Sequence, residues 1–271
     1  MNFSVYFLKK TVHVKSIFFF ERGCYAKNSS EQLPPMKGKG KNMAECMITL
    51  ENVTKKYGKA TAVKQCNLKL EKGKLYGLVG KNGAGKTTIM RMIAGLSIPT
   101  EGNIVSSAKK IGTLIEAPGL NGSMTGKENL KFYRMLCKEK SFFASDDELL
   151  ELVGLKNVEK KKVKDYSLGM RQRLGIAIAL LGNPEFIMLD EPVNGLDPIG
   201  VIEIRNLIKK LNQEKKITIL ISSHNLPELY QTVTDFIIID EGTVKQEITQ
   251  EQLEREHDDN LEEYFLSVIS K

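Results

Sequence analysis

The sequence lacks any apolar run long enough to cross a membrane. Its longest apolar stretches, such as residues 176–181, fall far short of the roughly 20 residues that a helix needs to span a bilayer. Any function in transport would therefore need membrane segments on a separate chain.

Cysteine is also scarce, because the 271 residues include only four, with no CxxC pair and no histidine close by. This excludes a disulfide framework and a zinc site, and it favours reduced thiols in the cytosol.

The positive charge is concentrated in one part of the chain. Hydrophobic residues make up 41% and charged residues 27% of the sequence, which is typical of globular domains and excludes extensive disorder. The net charge is +7, but residues 1–46 contain eight Lys or Arg and three Glu and so carry +5. The other 225 residues carry only +2. The main part of the chain therefore has no basic stripe, and we expect no nucleic-acid partner.

Residues 1–46 differ in composition from everything that follows. They hold seven of the chain's 11 Phe and 8 Tyr, show neither helical nor strand periodicity, and end in a linker-like stretch at residues 34–41. One interpretation is a membrane-surface anchor of aromatic and basic character. The other is that the segment is disordered or not translated in the native protein. The alternating Lys and Gly codons resemble a ribosome-binding site, so we expect translation to start at Met43 or Met47.

Hydrophobic patterns after residue 46 predict a parallel α/β core. Continuous apolar runs predict buried strands, whereas apolar residues at helical spacing predict helices. The predicted strands are residues 47–53, 75–79, 186–189 and 217–221, and the first predicted helix covers residues 85–96. Residues 125–181 show helical patterns and no clear strand, which predicts a helical insertion between the strands of the core.

Residues 80–87 read GKNGAGKT and match the phosphate-binding pattern G-x-x-x-x-G-K-T between a predicted strand and a predicted helix. Glycines let several backbone N–H groups point at a phosphate chain, and the helix directs its positive end at the same anion. Lys86 supplies a full positive charge for the terminal phosphates, and Thr87 offers a hydroxyl to Mg²⁺. The predicted nucleotide-binding residues are Gly80, Asn82, Gly83, Gly85, Lys86, Thr87 and Thr88.

Two carboxylates end the predicted strand at residues 186–189. In P-loop proteins the Asp at this position, here Asp190, holds Mg²⁺. Glu191 is then well placed to orient and deprotonate a water molecule. Taken alone, such a pair would more often cap a helix, but the phosphate-binding pattern upstream favours the catalytic interpretation.

Further motifs resemble those of the ABC transporter ATPases. Residues 166–173 (YSLGMRQR) resemble the family's signature motif, residues 195–197 (GLD) its D-loop, and residues 222–224 (SSH) its switch histidine. Tyr57 falls where the family has an adenine-stacking aromatic residue. The resemblance covers essentially all of residues 47–271, with five motifs in the expected order.

The resemblance implies an α/β fold with a P-loop (RecA-like) parallel-sheet core, an N-terminal antiparallel β subdomain and a helical subdomain at about residues 117–182. It also implies ATP and Mg²⁺ as ligands and a head-to-tail dimer, formed with a second copy or with a related chain. Ser167 and Gly169 would contact the γ-phosphate of the ATP held mainly by the partner, which agrees with the anion-binding tendency of a helix N-terminus. His224 would bond the same phosphate, and Glu191 would act on the attacking water.

Two departures from the common pattern narrow the resemblance. Glu116 stands where most family members have Gln, and Leu168 and Met170 replace the usual Gly and Gln of the signature. This combination resembles the ATPases of lantibiotic-immunity and bacitracin-resistance exporters. A carboxylate is a harder oxygen ligand than an amide, so we expect Glu116 to bind Mg²⁺ directly or through water and to sense the membrane subunit.

The expected function is the ATP-hydrolysing subunit of an exporter of antimicrobial peptides, at the cytoplasmic face of the membrane through separate permease subunits. One alternative is an export ATPase for a drug, a polysaccharide or ions. Another is a family member that acts on ribosomes or DNA, which the single domain and the absence of a heptad array disfavour. A GTPase is also disfavoured, because the sequence has no Asn-Lys-x-Asp motif.

Overall fold

The computed structural model describes residues 17–21, 45–137, 143–257 and 261–269. The strands are β1 (Ile17–Glu21), β2 (Cys46–Tyr57), β3 (Ala60–Glu71), β4 (Leu75–Val79), β5 (Glu101–Ser106), β6 (Lys110–Leu114), β7 (Phe186–Asp190), β8 (Thr218–Ser223), β9 (Asp235–Asp240) and β10 (Thr243–Thr249). The helices are α1 (Lys86–Ile93), α2 (Gly126–Leu136), α3 (Asp146–Leu152), α4 (Leu168–Leu180), α5 (Pro198–Lys215), α6 (Leu226–Tyr230), α7 (Gln250–His257) and α8 (Leu261–Ile269).

A seven-stranded sheet forms the centre of the fold, in the order β1-β6-β7-β8-β4-β9-β10. The five inner strands are parallel: β6, β7, β8, β4 and β9. The two edge strands, β1 and β10, pair antiparallel with β6 and β9. The predicted strand 75–79 has the predicted bounds, and the strands predicted at 186–189 and 217–221 are β7 and β8, shifted by one or two residues at their ends. The parallel α/β core is therefore confirmed.

Alternate residues of the inner strands enter two different cores. In β7, Ile187 and Leu189 pack with buried residues of α4 and α5. Phe186 and Met188 face the other way and pack with α1 and with β2 and β3. Because both faces are covered, the strand reads as a continuous apolar run instead of an alternating one.

A second, antiparallel sheet has the order β3-β2-β5 and covers α1 and one face of the central sheet. The predicted strand 47–53 lies within β2, which is twelve residues long. The predicted helix 85–96 is α1, which the structure ends at Ile93. The antiparallel subdomain expected at the N-terminal side of the core is present.

The insertion between β6 and β7 consists of helices and two short 3₁₀ turns, Lys156–Val158 and Val163–Asp165, with no strand within its described residues. Capping boxes begin two of the helices: Thr125 with Glu128 for α2, and Ser145 with Glu148 for α3. The helices pack on the side of the sheet that Leu114 and Leu189 face.

Most of residues 1–46 lie outside the described part of the chain, so the expected anchor and the expected start at Met43 or Met47 stay predictions. Strand β1, which the sequence pattern did not predict, pairs with β6 from Ile17 opposite Leu114 to Glu21 opposite Lys110. Over the described residues, no helix combines the length and the apolar character needed to cross a bilayer.

Candidate functional site

Glycines allow the loop between β4 and α1 to lie very close to strands β9 and β3. A Cβ added to Gly80 would lie 2.4 Å from the carbonyl oxygen of Ile239 in β9. Gly85 has a φ of +104°, and a Cβ there would lie 2.6 Å from the carbonyl oxygen of Ala62 in β3. Neither position accepts a side chain, so the loop follows a path that only glycine allows.

The same loop leaves its outer side open. A Cβ built on Gly83 would meet no atom within 4 Å, and Asn82 beside it is exposed. Helix α1 begins directly after the loop and has no acidic residue of its own in the first turn, so its positive end faces the loop. Thr88 lies half-buried in that first turn. This arrangement suits a phosphate chain lying across the loop.

Lys86 is the buried cation of the site, with only 6% of its surface exposed. Its Nζ donates to the carbonyl oxygens of Gly80 at 2.6 Å and Lys81 at 3.2 Å. Its Nζ also lies 3.6 Å from Oε1 of Glu191. The loop therefore folds around its own lysine and places the positive charge where phosphate oxygens would approach.

Thr87 and Asp190 form the candidate cation site. The hydroxyl of Thr87 donates to Oδ2 of Asp190 at 2.9 Å, which joins the start of α1 to the end of β7. Ser222, at the end of β8, donates to the other carboxylate oxygen, Oδ1. Within the described residues, no group of three or more His, Cys, Asp or Glu side chains could hold a metal alone. One carboxylate and one hydroxyl fit Mg²⁺, which usually takes one or two protein ligands and completes its shell with phosphates and water.

Glu191 and His224 form a hydrogen-bonded pair beside this site. The Nδ1 of His224 lies 2.9 Å from Oε2 of Glu191. Glu191 has a φ of +48°, a conformation that costs a non-glycine residue free energy and is often found at functional positions. Its N–H donates to the carbonyl oxygen of Ser222 at 3.1 Å and to the Ser222 hydroxyl at 3.0 Å. The end of β8 thus holds the Asp190 carboxylate and the backbone of Glu191.

Ser222 is a residue of the candidate site that the sequence pattern did not indicate. Asp190 and Ser222 are directly opposite each other in the β7–β8 register, which only the strand order reveals. The available signal was a hydroxyl two residues before the predicted switch histidine, at the carboxyl end of a predicted strand. Because the carboxyl ends of parallel strands share one edge of a sheet, polar residues there converge.

Glu116 lies outside this hydrogen-bonded group. Its carboxylate forms an ion pair with Arg91, four residues after Thr87 on α1, and both side chains are partly exposed. Its φ is +66°, so the chain turns sharply after β6. The structure places Glu116 beside the helix that carries Thr87, and its predicted contact with Mg²⁺ stays a prediction.

The remaining predicted residues lie on other elements. Tyr57 ends β2, is about half exposed, and has the Nζ of Lys55 5.0 Å from its ring centroid. Ser167 caps α4, where its hydroxyl accepts a hydrogen bond from the N–H of Met170 at 3.2 Å. Gly169 lies in the first turn of α4. The structure therefore brings together Lys86, Thr87, Asp190, Glu191 and His224. It places Tyr57, Ser167 and Gly169 on or beside other elements, β2 and α4.

Comparison with known proteins identifies the family. The family model described as ABC transporter matches residues 63–194. The bacitracin transport ATP-binding protein BcrA of Enterococcus faecalis is 44% identical over 224 residues, which cover 78% of this chain and 72% of that protein. The lantibiotic transport ATP-binding protein SrtF of Streptococcus pyogenes is 43% identical over 235 residues, which cover 82% of this chain and 97% of that protein. The predicted resemblance to this group of ATPases is confirmed.

The fold agrees with solved structures of the same family. The dimeric ATP-binding cassette MJ0796, in a post-hydrolysis state with ADP and phosphate, is 28% identical and superposes with a TM-score of 0.67. The superposition covers 75% of this chain and 99% of that cassette. The described site, with its phosphate-binding loop and paired carboxylates, is what a nucleotide-hydrolysing cassette requires. The chain belongs to the ATP-binding subunits of ABC transporters, binds nucleotide and hydrolyses ATP.

Proposed function

We propose that this chain is the ATP-hydrolysing subunit of an exporter that protects the cell from a peptide antibiotic of the bacitracin or lantibiotic type. The observation that carries the proposal is the 43–44% identity to both the bacitracin and the lantibiotic transport proteins over about four fifths of the chain. Glu116 and the variant signature at residues 167–170 support it, because in both features the sequence resembles this group of ATPases.

The phosphate chain of ATP lies along the loop at residues 80–87. Backbone N–H groups of the loop and the N-terminus of α1 bind the phosphate oxygens, and Lys86 exchanges its contacts with backbone carbonyls for contacts with the terminal phosphates. Tyr57, exposed at the end of β2, offers its ring to the adenine base. The loop thereby supplies most of the charge stabilisation that phosphoryl transfer needs.

Thr87 and Asp190 would hold Mg²⁺, with Glu116 as a further ligand or as the partner of a bound water. Mg²⁺ held there would supply positive charge to the phosphate oxygens. The Thr87 hydroxyl, which donates to Asp190, would offer its oxygen lone pairs to the cation. Ser222 keeps the Asp190 carboxylate oriented through its other oxygen.

Glu191 accepts a proton from the attacking water. His224 is hydrogen-bonded to Glu191 and orients that carboxylate, and it also reaches the γ-phosphate through its other ring nitrogen. The strained backbone of Glu191 is held by Ser222 on the neighbouring strand. Positioning of the attacking water and stabilisation of the charge on the phosphates together account for the acceleration of ATP hydrolysis.

The working form is a head-to-tail dimer of two ATP-binding subunits bound to separate permease chains at the cytoplasmic face of the membrane. Ser167 and Gly169, at the N-terminus of α4, face the partner's nucleotide in this arrangement. The dimeric cassette among the similar structures supports the pairing. Met135 and Leu136 are exposed at the end of α2 and belong to the region, residues 116–136, that receives the permease.

A susceptibility panel tests the proposed substrate class. The gene is deleted and restored as wild type, as Lys86→Ala, or as Lys81→Ala, which changes an exposed lysine of the same loop and serves as the matched control. Each strain is challenged with bacitracin, several lantibiotics and unrelated drugs.

We expect selective sensitivity to bacitracin or to a lantibiotic, rescued by the wild type and by Lys81→Ala but not by Lys86→Ala. Sensitivity to an unrelated drug alone would contradict the peptide substrate and favour a different exporter. Rescue by Lys86→Ala would contradict the role of ATP hydrolysis in protection.

A further inference from the structure

A small cavity adjoins the segments that carry the catalytic side chains. Its volume is about 10 Å³, close to what a single water molecule needs. Pro192, which directly follows Glu191, lines it on one side, and Ser223, which directly precedes His224, lines it on another. A change in the contents of this cavity would therefore act on both members of the Glu191–His224 pair.

Two buried polar atoms in the cavity wall lack partners. Nε of Arg205, on α5, and Oε1 of Glu228, on α6, each expose less than 1 Å² and have no hydrogen-bond partner among the described residues. Arg205 uses its Nη1 to donate to Gln231, which leaves Nε available. Buried polar atoms of this kind are usually satisfied by an ordered water molecule.

Charge and geometry agree with a water between the two side chains. Burial raises the pKa of Glu228, while the positive charge of Arg205 acts in the opposite direction, so the two groups interact electrostatically. Neither Nε of Arg205 nor Oε1 of Glu228 has a hydrogen-bond partner, so these two atoms do not bond to each other directly. Both residues line one water-sized cavity, and a single water molecule can accept from a donor and donate to an acceptor.

Glu228 is coupled to His224 through a very short helix. Helix α6 has only five residues and begins two residues after His224. Its N-cap is Asn225, whose side chain accepts a hydrogen bond from the N–H of Glu228 at 3.3 Å. In contrast, α5 has 18 residues and four buried side chains, so it is the firmer of the two elements. A bridge from α5 to α6 would therefore fix the position of the switch histidine.

We propose that one buried water molecule bridges Nε of Arg205 and Oε1 of Glu228, and that this bridge positions His224 for catalysis. The inference rests on the proposed role of His224. Glu228 is then a positioning residue, because it acts through α6 and touches neither nucleotide nor the attacking water. Its loss should reduce turnover without weakening nucleotide binding.

Steady-state ATP hydrolysis by the purified chain tests the positioning role. We expect Glu228→Ala to lower kcat about tenfold and to leave the KM for ATP within about twofold of the wild type. Glu228→Gln keeps the Oε1 acceptor and should restore near-normal kcat. Arg205→Lys keeps the charge but removes Nε, and should show the same loss as Glu228→Ala. Glu214→Ala, an exposed change on α5, is the matched control.

A double-mutant cycle separates positioning from general stabilisation. We expect Glu228→Ala to have no further effect on kcat in a His224→Ala background. The same fold reduction in both backgrounds would overturn the inference, because Glu228 would then act independently of His224. If Glu228→Ala does not fold, the effect of Arg205→Lys on kcat is compared in the wild-type and His224→Ala backgrounds instead, with the same two expected outcomes. A His224→Ala variant with wild-type turnover would instead contradict the proposed role of His224 itself.

A high-resolution crystal structure tests the water directly. We expect one ordered water within hydrogen-bonding distance of Nε of Arg205 and Oε1 of Glu228. An empty cavity, or a direct contact between the two side chains, would overturn the bridge.

Discussion

Replacing Ser222 with alanine removes the hydroxyl that orients the Asp190 carboxylate and binds the backbone N–H of Glu191. The hydroxyl donates to Oδ1 of Asp190 and accepts from the N–H of Glu191 at 3.0 Å. Asp190 is only 7% exposed, so water cannot readily replace the lost donor. A hydrogen bond to a charged group contributes about 1.5–3 kcal/mol, which corresponds to a loss of about 10- to 150-fold in kcat if the carboxylate must hold its position in the transition state.

The assay is steady-state ATP hydrolysis at saturating Mg²⁺, with the affinity for ADP measured in the absence of Mg²⁺ as a check on nucleotide binding. We expect kcat to fall and the ADP affinity to stay within about twofold of the wild type. Thr218→Val is the matched control, because it removes a buried hydroxyl that accepts from the N–H of Gly73 at the opposite end of the same strand. It should lower stability without lowering kcat. A Ser222→Ala variant with kcat within twofold of wild type would show that hydrolysis does not depend on the hydroxyl of Ser222.

Three further predictions follow from the charges of the molecule. Lys86→Ala should weaken ATP binding about 10- to 150-fold by removing a charged donor, whereas Lys81→Ala should change it little, as measured by calorimetry. Burial raises the pKa of Cys66 to about 12, so it stays a thiol at pH 8 and should resist alkylation that modifies the exposed Cys46, as mapped by mass spectrometry. Glu116→Gln should raise the Mg²⁺ concentration for half-maximal hydrolysis severalfold, yet change the free energy of unfolding by less than about 1 kcal/mol, because its ion pair with Arg91 is partly exposed. Equal Mg²⁺ dependence would contradict the predicted ligand role.

The parallel core could be predicted because each inner strand is buried on both faces. Residues 75–79 and 186–190 are buried throughout, so their sequence is a continuous apolar run that stands out from its surroundings. Residues 236–239 of β9 form the same kind of buried apolar run, but they were not among the predicted strands. Strand β1 could not be predicted, because five residues paired at a sheet edge produce no distinctive period.

The candidate site was predictable where the motif is local and not where it depends on strand order. Lys86 and Thr87 follow from one loop and its helix, whereas the contact between Ser222 and Asp190 joins residues 32 positions apart. The ion pair between Arg91 and Glu116 likewise joins α1 to the residues after β6, 25 positions away. Such contacts are set by packing between elements, which a single sequence does not display.

Glu191 is the residue proposed to activate the attacking water at this site. Its role is tested by steady-state ATP hydrolysis by purified Glu191→Gln beside the wild type, with ATP binding measured on the same samples. We expect unchanged ATP binding and a kcat lowered by at least about 100-fold, because the amide cannot accept the proton. Hydrolysis at the wild-type rate would contradict this role and place the general base elsewhere.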